Sequence, residues 1–143
     1  MRANHHIGWL GTGRMGSAMA ARLVSDGATM AVWNRTPSKT EPLIELGATQ
    51  ADTVSDLGRC DIVFTSVTSS QDLLAVTLGP HGLLNAQPAP RIVVDTSTVS
   101  AEAAAKVRAE ATSRGIGFLS APISGNANVV AEGHASKIGR AHV

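Results

Sequence analysis

Between Leu10 and Ser17 the chain reads Gly11-Thr12-Gly13-Arg14-Met15-Gly16, three glycines in the pattern G-x-G-x-x-G. A chain with 14 glycines can produce such a pattern by chance, so its meaning comes from its flanks. An apolar run, Ile7–Leu10, leads directly in, and a segment of helical pattern leads out. In that setting each glycine has a physical task. Gly11 permits a tight turn, Gly13 keeps a side chain from standing between the backbone and a pyrophosphate, and Gly16 lets the helix pack closely on the strand. The unpaired N–H groups at Arg14 and Met15, at the positive end of the helix dipole, then face the phosphates. A glycine-rich turn without a ligand is the competing reading, and the strand–turn–helix context speaks against it.

The next group with chemistry to offer is Trp33-Asn34-Arg35-Thr36. A site selective for NAD places Asp or Glu roughly 20 residues past the glycine motif, where it holds the ribose 2′-hydroxyl. Asn34 stands there, and Arg35 follows. A carboxylate repels a 2′-phosphate, whereas a guanidinium pairs with it. Thr36 adds a hydroxyl, and Lys39 a further positive charge one helical turn on. NADP is therefore the expected cofactor, with NAD the less favoured alternative. Plainer roles compete: Arg35 as a solvated loop residue, and Thr36 as a helix cap, which it can be while also meeting the cofactor.

Both groups need a frame that holds them together, and the pattern of elements supplies one. Short apolar runs alternate with helix-like segments, the signature of a parallel sheet with crossover helices. Strands are read at Ile7–Leu10, Thr29–Trp33, Ala48–Ala51, Asp61–Val67, Arg91–Val94 and Ile116–Leu119. A helix from Arg14 to Asp26 is expected to face inward with Met15, Met19 and Leu23, leaving Arg22 and Asp26 to water. Thr36-Pro37 opens a second helix that ends near Gly47, with Pro42 inside it, a residue unfavourable to an unbroken helix. A helical turn follows around Val54–Leu57, then helices at Ser70–Leu78 and Ser100–Arg114, the latter stopped by Gly115. The expected fold is an α/β, Rossmann-type doubly wound parallel sheet.

Composition narrows the functional classes. Among 143 residues, 43% are hydrophobic and 16% charged, and Lys plus Arg (12) nearly balances Asp plus Glu (11), for a net charge of +1. That balance gives no electrostatic reason to expect nucleic acid or a membrane surface as partner. No apolar run is long enough to span a bilayer, and MRANHHIGWLG lacks the form of a secretory signal. The single Cys60 fits a reducing, cytoplasmic compartment and is read as a small, partly buried residue. His5, His6, His81 and His134 lie in no metal-ligand pattern.

Four segments together resemble the β-hydroxyacid dehydrogenases, a family that includes 3-hydroxyisobutyrate, tartronate-semialdehyde and 6-phosphogluconate dehydrogenases. They are Ile7–Leu23, Asn34-Arg35-Thr36-Pro37, Asp95–Ser100 (DTSTVS) and Ala121–Gly125 (APISG). The resemblance implies an NADP-dependent oxidoreductase of small, carboxylate-bearing β-hydroxyacids or semialdehydes, homo-oligomeric when intact. It implies that Thr98 lies beside the nicotinamide, that Val67 and Thr68 give backbone contacts to the cofactor, and that Ser124 and Gly125 anchor the substrate carboxylate. Without the resemblance, capping or turn chemistry is the simpler account of Thr98 and Ser124. Two departures stand out: Asn126 replaces the usual second glycine after Ser124, and Thr12 a usually apolar residue. Imine reductases resemble the same half, and a noncatalytic dinucleotide-binding module is a further alternative.

In such enzymes a following helical domain carries the general acid/base lysine, and neither Lys106 nor Lys137 is placed to replace it. The expectation is therefore an NAD(P)-binding Rossmann domain over residues 1–137, incomplete at its C-terminal end, without that helical domain and without a catalytic residue of its own. Residues 138–143 (IGRAHV) match what a common short-read sequencing adapter encodes and are expected to be a non-native tail.

Overall fold

The apolar runs all become parallel strands. The computed structural model describes residues 6–124 together with 136–137 and 140–142. In it β1 (His6–Leu10), β2 (Thr29–Trp33), β3 (Thr49–Gln50), β4 (Ile62–Thr65), β5 (Ile92–Asp95) and β6 (Gly117–Ser120) lie side by side in the order β3-β2-β1-β4-β5-β6. Every neighbouring pair among them is parallel. The chain winds outward from β1 to β3, returns to β4 beside β1, and winds outward again to β6. It is a doubly wound, Rossmann-type sheet, and the winding reverses between β1 and β4, where such sheets open a crevice at the strands' carboxyl ends.

Two further features were not expected. β7 (Ile123–Ser124) and β8 (Ser136–Lys137) form a small antiparallel ribbon, and β9 (Arg140–His142) lies antiparallel on the β6 edge. Pairing on an open sheet edge uses backbone N–H and C=O groups. It asks little of side-chain type, so no sequence signal announced it.

Alternation along β1 divides the core into two layers. Trp9 points to one face, where it packs with Val32, Met30, Leu43 and the Ala20 and Val24 side chains of α1 (Arg14–Ser25). Its ring stacks on Phe64 of β4 at a centroid distance of 5.0 Å. Leu10 points to the other face, with Val63 and Val93 of the sheet, Leu73 of α3 (Ser70–Leu78), and Val107 and Ala111 of α4 (Ala101–Ser113).

Helix α1 is rotated relative to the expected face. Its fully buried residues are Gly16, Ala20 and Val24, while Met15, Met19 and Leu23 are only half-buried. The cause is the close approach at Gly16, which draws the small side chains against the sheet and leaves the larger ones at the margin. Arg22 and Asp26 are exposed and paired, Nε to Oδ2 at 3.6 Å.

The second helix is also shorter than expected. A 3-10 turn, Pro37–Thr40, precedes α2 (Glu41–Glu45). Restarting the helix at Glu41 puts Pro42 in a first turn, where its missing N–H costs nothing. Val54–Arg59 is a 3-10 helix closed by a reciprocal capping box between Thr53 and Asp56, and Leu83–Asn85 adds a 3-10 turn that buries Leu83 and Leu84. Ser100 caps α4 by accepting the Ala103 N–H at 3.1 Å. Among the described residues no helix is long and apolar enough to cross a membrane.

The rotated seam of α1 has a measurable consequence. Ala20 is wholly buried, so Ala20→Leu should overpack the contact with the sheet and destabilise the fold by about 1–3 kcal/mol. On the expected Met15–Met19–Leu23 face Ala20 would stand aside, and the change would stay within about 0.5 kcal/mol. Urea unfolding of the two proteins separates these outcomes.

Candidate functional site

The glycine turn joins β1 to α1 at the carboxyl edge of the sheet. Gly11 has φ of 101°, a left-handed conformation, and a β-carbon there would collide with the Ser66 carbonyl beyond β4. A β-carbon on Gly16 would lie 2.7 Å from both the Gly11 carbonyl oxygen and the Ser66 Oγ. Neither position admits a side chain, for reasons of packing. Gly13 differs: a β-carbon there meets nothing within 4 Å. The space beside it is open.

That space lies at an uncapped helix terminus. Gly13 is the N-cap of α1 and contributes no side-chain cap, and the first turn holds no acidic residue. By contrast, Ser69 caps α3 and Ser100 caps α4 through their hydroxyls. The first bond into the helix is Ser17 N–H to the Gly13 carbonyl at 2.7 Å, so the N–H groups before it have no helical acceptor. They and the helix dipole present positive charge to the opening.

A cleft of about 270 Å³ continues from Gly11 and Gly13, past Asn34, Arg35, Thr36 and Lys39 on one wall, to Ser66, Val67, Thr68, Asp72 and Val76 on the other. It follows the junction of β1 and β4, where the winding reverses. The wall beyond β2 is braced by Asn34. Its Oδ1 accepts the Thr12 N–H at 2.9 Å and its Nδ2 donates to the Thr36 carbonyl at 3.0 Å. Thr12, buried, also donates its hydroxyl to the Lys39 carbonyl at 3.2 Å. Thr36 stands at the N-cap of the 3-10 turn but makes no capping bond with its hydroxyl. Arg35 extends into solvent, 83% exposed, and its nearest charged partner across the cleft is Asp72 at 3.7 Å.

The opposite wall is held from beneath by a buried polar cluster. Thr65 at the end of β4 donates its hydroxyl to Asp95 Oδ1 at 2.8 Å, and the Ser97 N–H donates to the same oxygen at 3.2 Å. Ser97 Oγ accepts the Val67 N–H at 2.8 Å, and Thr96 donates its hydroxyl to the Thr65 carbonyl at 2.9 Å. The loops after β4 and β5 are thereby clamped to each other. Asp95 is fully buried, and its Oδ2 has no partner among the described residues. Burial pushes its carboxyl above the ordinary range, against the hydrogen bonds from Ser97 and Thr65. On the cleft surface the order of causes reverses: the Thr68 hydroxyl, then the Ser69 hydroxyl, and more weakly Arg35, hold the Asp72 carboxyl below its ordinary range.

The structure brings Gly11, Gly13, Asn34, Arg35, Thr36, Val67 and Thr68 to one cleft. Arg14 borders an adjoining shallow groove that shares Gly13 and Lys39, while Met15 and Gly16 lie in the first turn of α1. Thr98 is exposed on the loop between β5 and α4, outside the cleft lining. Ser124 is the last residue of β7; Gly125 and Asn126 lie outside the described residues. Sequence reading passed over Asp72, although Ser69-x-x-Asp72 is a capping pattern, and over the Thr65–Asp95–Ser97 cluster, in which Thr65 lies 30 residues from Asp95. Cys60 is more buried than expected, at 5% exposure, and burial, then Asp61, pushes its thiol up, away from a reactive thiolate. Among the described residues no three His, Cys, Asp or Glu side chains gather as a metal site.

A doubly wound sheet whose first turn opens an uncapped helix onto a crevice at the winding reversal defines a dinucleotide-binding domain. The chain belongs to the family described as the NAD binding domain of 6-phosphogluconate dehydrogenase, which it matches over residues 6–139. It is similar to the human cytokine-like nuclear factor N-PAC, 39% identical over 131 residues that make up 89% of this chain and 23% of that protein. An uncharacterized oxidoreductase from Shewanella frigidimarina is 40% identical over 121 residues, 83% of this chain and 42% of that one.

Among solved structures, Psf3 in complex with NADP+ and 2-OPP aligns with a TM-score of 0.89 at 30% identity, covering 95% of this chain and 49% of its own. The 3-hydroxyisobutyrate dehydrogenase of Mycobacterium tuberculosis, with L-serine, gives 0.85 at 26% identity, with coverages of 96% and 46%. An imine reductase from Myxococcus stipitatus in complex with NADP+ gives 0.78 at 30% identity, with coverages of 87% and 43%. The chain spans less than half the length of each of these proteins.

The buried carboxyl of Asp95 makes a pH-dependent contribution whose sign follows from its displacement. With the folded-state value raised, Asp95 supports the fold fully below the ordinary carboxylate range, about pH 4, and loses that support as pH rises through the raised value. Asp95→Asn keeps an acceptor for Thr65 and Ser97 but does not titrate. Stability of the wild type relative to this variant should therefore fall as pH rises above about 4. Denaturant melts at several pH values check it, and a constant difference would contradict the raised value.

Proposed function

We propose that this chain binds NADP, and that it serves as the cofactor domain of an NADP-dependent oxidoreductase acting on small β-hydroxyacids or semialdehydes. One observation carries the reading: the uncapped start of α1 at Gly13 opens into a cleft whose adjoining wall bears Arg35, Thr36 and Lys39. The open space at Gly13 admits a pyrophosphate to the free N–H groups of α1. Arg35, with the Thr36 hydroxyl not engaged in capping, suits a ribose 2′-phosphate. The apolar stretch at Val67, Ala75 and Val76 suits the adenine face. A bound nicotinamide supplies hydride transfer; the chain's part is to bind it, orient it and hold its phosphates.

Two similarities support the wider reading. The solved relatives Psf3 and the Myxococcus imine reductase are both complexes with NADP+, and the Mycobacterium enzyme is a 3-hydroxyisobutyrate dehydrogenase. Thr98 beside the nicotinamide, and Ser124 with Gly125 against a substrate carboxylate, belong to this proposal. So does a cytoplasmic homo-oligomer as the intact form. The imine reductase likeness, at 30% identity, keeps imine reduction as a second reading. The likeness to N-PAC, named as a nuclear factor, keeps a noncatalytic binding module as a third. NADPH consumption by the full-length protein, with semialdehydes and cyclic imines compared, separates the three.

Cofactor choice is tested by nicotinamide fluorescence. NADPH should bind more tightly than NADH, and Arg35→Ala should weaken NADPH about ten- to a hundred-fold, the worth of a hydrogen bond to a charged group, while changing NADH little. Equal wild-type affinities would remove the 2′-phosphate assignment. Gly13→Val should leave circular dichroism and unfolding nearly unchanged, because a β-carbon there meets open space, yet abolish binding of both cofactors. Retained binding by a folded Gly13→Val protein would show that the turn holds no pyrophosphate.

A further inference from the structure

The cleft lining holds one acidic side chain, Asp72, among the residues that form it. Its position is awkward for a site meant to receive an anion, and its surroundings show that it is held there. The Asp72 N–H donates to Ser69 Oγ at 3.1 Å, and the Thr68 hydroxyl donates to its Oδ2 at 2.9 Å. Its other oxygen, Oδ1, faces Arg35 Nη1 at 3.7 Å, across the cleft from the β4 side to the β2 side. The carboxylate is the pinned member of the pair, with 31% of its side chain exposed. The arginine is the free one, at 83%.

We propose that Asp72 is a specificity-determining residue: it straps Arg35 across the cleft mouth when no cofactor is bound, so that a 2′-phosphate must take the guanidinium from it. The inference rests on Arg35 being the 2′-phosphate partner. A ligand without that phosphate has nothing to exchange for the strap, whereas one with it replaces a single carboxylate by a doubly charged, better-matched acceptor. The strap therefore lowers NADPH affinity below what Arg35 alone would give, and sets the margin between the two cofactors. The contact is long and solvated, so its effect is small and salt-sensitive.

The test uses the full chain and fluorescence titration with NADPH and NADH. Asp72→Asn keeps an oxygen for the Thr68 hydroxyl and removes the charge. NADPH should tighten about two- to five-fold, the range of an exposed ion pair, with NADH changing less. In an Arg35→Ala background the same substitution should no longer help NADPH, because there is no guanidinium to release. A gain that persists without Arg35 would overturn the strap in favour of simple repulsion through space. Weakening of both cofactors equally would overturn it in favour of Asp72 as a direct cofactor contact. An NADPH preference in the wild type with an unchanged ratio in Asp72→Asn would sink the strap alone. Equal wild-type affinities would sink the 2′-phosphate reading along with it. Melting curves of each folded variant accompany the titrations.

Discussion

The structure turns on the close approach of three backbone segments: the turn after β1, the first turn of α1, and Ser66 beyond β4. Gly11 sits against the Ser66 carbonyl, and Gly16 against the Gly11 carbonyl and Ser66 Oγ, with no room for a β-carbon at either. This contact sets the helix so near the sheet that its buried seam is Gly16–Ala20–Val24 and not the line of larger side chains. It also aims the helix terminus. With α1 drawn down at Gly16, the N–H groups before Ser17 look over the carboxyl edge of β1 and β4, and Gly13 leaves that direction clear. The positive helix terminus at the cleft follows from how tightly the backbone packs.

From this point order is passed sideways along the sheet edge. The strand ladder continues past the strands: Gly11 N–H to the Trp33 carbonyl, Ser66 N–H to Leu10, Thr96 N–H to Thr65, and Ala121 N–H to Asp95, each at 2.8 to 2.9 Å. The Asp95 cluster then ties the β4 and β5 loops beneath the cleft. A buried carboxyl carries a desolvation cost, and here the cost accompanies a rigid floor under Val67 and Thr68. Both residues line the cleft, so the buried cluster that carries the desolvation cost also fixes part of the cleft wall.

Strand positions and helix order were legible in the sequence because each rests on a local signal, a β-branched run or a glycine stop. The strands came within about two residues of their observed ends, the usual uncertainty of boundaries. The face of α1 was not legible, because Met15, Met19 and Leu23 give a better hydrophobic stripe than Gly16, Ala20 and Val24. What decides between them is a tertiary contact with Ser66, 50 residues away. The split was half legible: a proline inside the second helix was in view, and the restart at Glu41 comes from its fit to a first turn. The glycine turn and Asn34-Arg35-Thr36 could be named as a site from spacing alone. The pairing of Asp95 with Thr65 could not, since nothing in either segment points to the other.

Asn34 shows how far charge arithmetic goes and where geometry takes over. From the sequence, its value lies in what it is not, a carboxylate that would repel a 2′-phosphate. In the structure its amide is already committed, accepting from Thr12 on one side and donating to the Thr36 carbonyl on the other. An aspartate could replace the acceptor but has no donor when ionised, and its second oxygen would face a carbonyl. The neutral amide thus holds the glycine turn and the arginine loop at a fixed spacing while leaving the cleft free of a second negative charge. Arg35 can stay exposed, held only by its long contact to Asp72, because its neighbour fixes the loop. On the proposed reading, selectivity at this site would rest on a charged group held by one long, solvated contact and on an uncharged one that keeps the loop beneath it in place.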